Sequence, residues 1–97
     1  MILKRISPKL WIGREIFEEL HQHAALVLTT PAPDKWKASL AILTKGSDPT
    51  KAPHYKQTGE VHELLAWAQQ IIQRDLGRTI PIIKQEVPWS TMQESRG

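Results

Sequence analysis

Four histidines raise the question of a metal centre. His21 and His23 form an H-x-H pair, and His54 and His62 follow further along the chain. On a strand that spacing turns both imidazoles to one face and makes a good bidentate pair. Near a helix end the two rings diverge by about 200°, and an imidazole there is equally explained by contact with the negative end of the helix dipole. A metal site or catalytic cleft therefore requires His21, His23 and His54 to converge. The spacing does not supply that convergence, so neither a metal nor another cofactor is expected.

Hydrolytic chemistry needs a nucleophile, a base and a group that orients the base. The serines are Ser7, Ser39, Ser47, Ser90 and Ser95, none of them within a G-x-S-x-G turn. Glu18–Glu19 and Glu60 with Glu63 are carboxylate pairs, each expected on the watery side of a helix, where no burial raises a pKa towards acid–base work. The five glycines are scattered singly, so there is no phosphate-cradling loop, and there is no cysteine to act as nucleophile or thiolate ligand. No catalytic residue is expected, and the chain reads as a non-enzymatic protein.

Binding chemistry is better represented. Lys35, Trp36, Lys37, Lys51, Tyr55 and Lys56 interleave cations with aromatics, a combination that holds single-stranded RNA or DNA by charge and stacking. Lysines beside a strand also keep a sheet edge soluble and block edge-to-edge pairing. Trp11, Trp67 and Trp89 fall off the main apolar stripes, and exposed aromatics are enriched at protein interfaces. The first expectation is thus a protein-interaction or regulatory domain that acts through a sheet face and these aromatics, as a homodimer. The alternative is a nucleic-acid-binding protein that uses the basic residues.

The elements that must position these groups follow from periodicity. From Val61, apolar residues recur at Leu64, Leu65, Ala68, Ile72 and Leu76, one face of a helix, with Arg74 in the last turn and Gly77 as its stop. An earlier helix is expected to start at Ser7–Pro8 or, because Gly13 weakens it, to run only over 14–22, with Gly13, Ile16, Phe17, Leu20 and Ala24 on one side. Strands are expected at 2–6, 25–30, 36–43 and 79–87, the last an edge strand because Pro81 lacks a ladder donor. The resulting β-α-β-β-α-β order is the ferredoxin-like split βαβ arrangement: an α+β sheet in order 4-1-3-2 with two helices on one face. Residues 45–57 read as a long basic loop, and 88–97 as a frayed tail after a single domain over 1–87.

That pattern leaves apolar residues on both faces of strands 25–30 and 79–87, so a partner is expected to cover the face without helices. The chain has 97 residues, 40% hydrophobic and 24% charged, with a net charge of +3. Those values describe one ordinary globular domain and exclude a disulfide scaffold or a fibrous repeat. No apolar run reaches the ~20 residues needed to span a bilayer, and no apolar segment follows Met1 as a signal peptide would require. A cytoplasmic protein is expected.

Overall fold

In a computed structural model, which describes residues 1–32 and 35–85, strand-favouring alternation dominates the first sixty residues. β1 (Ile2–Ser7), β2 (Leu10–Phe17), β3 (Gln22–Ala32), β4 (Lys35–Thr44) and β5 (His54–Gly59) form an antiparallel meander. Then come α1 (Val61–Leu76) and the short β6 (Ile83–Gln85), which pairs parallel to β1. The single six-stranded sheet runs β5-β4-β3-β2-β1-β6. One-turn 3-10 helices at Glu18–Leu20 and Pro49–Lys51 close two of the connections. Among the described residues no helix is long and apolar enough to cross a membrane.

This corrects the ferredoxin-like expectation: the sheet is mixed, has six strands and carries one helix. The expected first helix is β2 and a 3-10 turn. Its spacing also fits a period of two, with Trp11, Gly13 and Phe17 turned inward and Ile12, Arg14 and Ile16 outward. β-branched and aromatic side chains favour the pleated form. The expected 45–57 loop contains the 3-10 turn and all but the last two residues of β5, whose sequence HYKQTG has one large apolar residue and so lacks a strand's usual signature. Of the described residues of the expected last strand, Ile83–Gln85 pair, and Pro81 lies outside the ladder. Residues 86–97, with the expected tail and Trp89, lie outside the described residues, as do Pro33 and Asp34.

α1 spans the residues its periodicity indicates. Gly77 ends it in the left-handed region at φ 65°, donating its amide to the Gln73 carbonyl. Leu64, Ala68, Ile71, Ile72 and Leu76 are buried against Leu3, Leu26, Leu28, Leu40 and Ile42 of the sheet. Each Leu or Ile so covered contributes about 1.5–3 kcal/mol of transfer free energy. Gly13 permits the close packing of β1 on β2: a Cβ there would lie 2.7 Å from Leu3 Cδ2 and 3.0 Å from the Ile2 carbonyl oxygen.

Candidate functional site

The sheet has one face under α1 and one face open. Strand register assigns most side chains of the open face. Ile83, Ile2, Arg14, Ala25, Ala41 and His54 form one row across the strands, and Gln85, Lys4, Ile12, Val27, Ser39 and Lys56 form the next. Leu10, Thr29, Lys37 and Thr58 lie beyond one side, and Ile16, His23 and Leu43 beyond the other. Among the described residues the exposed large hydrophobic residues are Ile2, Ile6, Ile12, Ile16 and Ile83, between 41% and 62% exposed; register puts four of them on this face, and Ile6, at the irregularity of the β1–β2 ladder, lines a groove with Ile2, Ile12 and Ile83. Scattered exposed apolar residues are ordinary, but a contiguous patch marks a contact surface.

The same face carries Lys4, Arg14, Lys37 and Lys56, all exposed, and no carboxylate among its described strand residues. Glu15, the carboxylate within β2, is opposite Ala24 on the covered face, 2.7 Å from the Met1 amine. The other ion pairs among the described residues involve α1 or the loops: Arg74 with Asp75, Arg78 with Glu19, and His62 with Glu60 and Glu63. The small residues Ala25, Val27, Ser39 and Ala41 floor a trough along β3 and β4. At its β5 side, a groove of about 570 Å³ is lined by Val27, Thr29, Lys37, Ser39 and Lys56 among others.

The expected site residues divide between the two faces. Trp36 and Tyr55 pack against the core on the α1 side, while Lys37 and Lys56 stand on the open face. Lys51 sits in a 3-10 turn and Lys35 at the start of β4. The alternation that makes the sequence look interleaved therefore separates its cations from its aromatics. Trp11 is only 3% exposed, beneath the cations of Arg5 and Lys84, each 5.5 Å from its ring, and so is no exposed contact. Trp67 is half-buried against the core. The sequence does not reveal the five isoleucines as a set, because Ile16, and Ile12 if the helix starts at Ser7–Pro8, fall in an expected helix, and the facing of Ile2, Ile6 and Ile83 in their strands is open.

The histidines do not converge. His23, opposite Ile16 and Leu43, and His54, opposite Ala41, are both on the open face but two strands apart, about 10 Å. His21 occupies a left-handed turn at φ 53°, and its carbonyl accepts from the Lys45 amide at 2.7 Å. Among the described residues, the group with ligand atoms close enough for one ion is Glu60, His62 and Glu63, all exposed. Among the described residues, Glu19, Asp48 and Asp75 are the carboxylates with displaced pKa values, and all are lowered, opposite to the shift a general acid needs.

Asp75 belongs to a cluster that ties β5 to α1. It accepts from the Tyr55 hydroxyl at 2.5 Å and from Arg74 Nε at 2.8 Å, and the Arg74 guanidinium lies 5.3 Å from the Tyr55 ring. The bond from Arg74 first, and then that from Tyr55, lowers its pKa. A carboxylate lowered in the folded state stabilises above its unfolded value, near 3.9, and the contribution disappears as pH falls through the folded value. The urea midpoint is therefore expected to drop below about pH 4, and Asp75→Asn to shrink that drop. Glu19 and Asp48 sustain the remainder. An identical acid limb in Asp75→Asn refutes the assignment.

Comparison with protein-family models, curated proteins and solved structures yields no match for this chain.

Proposed function

We propose that the chain is a non-catalytic, cytoplasmic protein-interaction domain that binds through the open face of its sheet. The observation that carries this reading is the gathering of the exposed isoleucines Ile2, Ile12, Ile16 and Ile83 on that face. At about 25 cal/mol per Å² of apolar surface removed from water, covering several of them supplies a substantial part of a binding free energy. The contact moves from the tryptophans to the isoleucines because Trp11 is buried and Trp67 is engaged with the core.

The test is site-specific photo-crosslinking in living cells, with a benzophenone amino acid placed at Ile12 or, as the control, at exposed Gln70 of α1. Adducts are expected at Ile12 and not at Gln70, sensitive to protease and resistant to nuclease. Ile16→Asp, at the most exposed of the isoleucines, should reduce the Ile12 adduct by about fivefold or more, since it places an uncompensated charge in an apolar contact. Equal labelling at the two positions, no adduct, or an adduct cleaved by nuclease defeats the reading.

A further inference from the structure

We infer that the occupant of the open face is an acidic amphipathic helix of a partner protein, lying along the trough over β3 and β4. This rests on the protein-interaction reading and specifies the partner's chemistry. The trough has walls of different character. On the β2 side stand Ile12 and Ile16 with Arg14 between them, and on the far side Lys56 of β5, with Lys37 beside it on β4 towards one end of the floor. Its floor is cut low by Ala25 and Ala41. β2 and β5 are three strand spacings apart, about 14 Å, which accommodates a helix of about 10–12 Å diameter once the side chains of the walls intrude. A helix whose apolar stripe faces the isoleucines and whose carboxylates face the lysines satisfies both walls.

Other occupants fit less of the surface. An extended peptide obtains its backbone hydrogen bonds from a sheet edge, not from a face where those groups are already paired, whereas a helix satisfies its own. A second copy laid face to face would bring two sets of Lys4, Arg14, Lys37 and Lys56 together with no carboxylate from the described strand residues between them. A single-stranded nucleic acid would find no Phe, Tyr or Trp among the described strand residues of this face on which to stack a base, and only the imidazoles of His23 and His54, two strands apart. A helix here completes a three-layer arrangement, with the sheet between it and α1.

The experiment uses fluorescein-labelled peptides of about 18 residues, ~27 Å as a helix, with leucine along one face and glutamate opposite. A sister peptide has lysine in place of glutamate, and a third has the glutamate peptide's composition in scrambled order. Anisotropy titrations with the full chain at about 150 mM salt are expected to favour the glutamate peptide over both others by about tenfold or more. The double variant Lys37→Glu with Lys56→Glu should reverse the preference between the acidic and basic peptides. Equal affinities, absence of peptide binding, or a preference that survives the charge reversal overturns the inference. Tighter binding of a single-stranded oligonucleotide of about 20 nucleotides, with a steep salt dependence, overturns it too. Protein adducts at Ile12 without a charge preference among the peptides would sink the acidic helix alone, while loss of those adducts would sink the interaction reading itself.

Discussion

Leu40→Ala is expected to lower the unfolding free energy by about 2–5 kcal/mol, whereas Ile16→Ala should change it by about 0.5 kcal/mol or less. Both remove branched aliphatic groups from strands of one sheet, but Leu40 is 0% exposed beneath α1 and Ile16 is 62% exposed on the opposite face. Leu40 has Leu26 and Tyr55 as its cross-strand partners, and the surrounding close-packed side chains relax only partly into the space left. The loss combines transfer free energy with a cavity cost. Against a total stability of about 5–15 kcal/mol for a domain of this size, it is a large fraction. Urea titration should show a lower midpoint for Leu40→Ala with an unchanged slope. Similar midpoints for the two variants would mean that the two faces are not distinguished as described.

The second large effect is one of sign. Glycine within a strand ordinarily lowers stability, so replacement by alanine should help by about 0.5–1 kcal/mol. At Gly13 the added Cβ would meet Leu3 Cδ2 at 2.7 Å, the Ile2 carbonyl oxygen at 3.0 Å and Met1 Cγ at 3.1 Å. The Leu3 methyl can rotate away only into a core where Leu3 is already fully buried, and the carbonyl belongs to the β1 backbone. Gly13→Ala is therefore expected to destabilise by about 1–3 kcal/mol, and a valine by more. Leu3→Ala opens space beside the new methyl, so the double variant should be less destabilised than the sum of the two single variants. Strict additivity, or a Gly13→Ala protein more stable than the parent, would contradict the close approach of β1 and β2.

α1 was legible residue by residue because its apolar spacing fits only one period and Gly77 marks its end. β3 and β4 were legible too, as long apolar runs that alternate or are buried. β2 was not, since Ile16, Phe17 and Leu20 satisfy a helical stripe as readily as Trp11, Gly13 and Phe17 satisfy a strand. Only pairing with β1 and β3 decides between them. β5 was hidden for another reason. As an edge strand with exposed polar residues it draws its structure from the ladder to β4, and ladder bonds leave no trace in side-chain type. The cations of the candidate site were visible from the start, but their separation from Trp36 and Tyr55 depends on strand parity. The isoleucines became a surface only when register placed them in adjacent rows.

Among the described residues β6 pairs at three positions, and these join the start of the chain to its last described segment. The meander from β1 to β5 is assembled from hairpins whose partners are near in sequence. By contrast, Ile2 and Ile83 must close a loop of about 80 residues, at an entropic cost that short-range contacts do not bear. Topology thus makes this ladder a late event in folding, and its place at the edge of the sheet makes it an early one in local opening. When it opens, β1 presents an unpaired backbone to any strand at hand, including β6 of another copy. This edge ladder is therefore the point at which two chains can exchange strands.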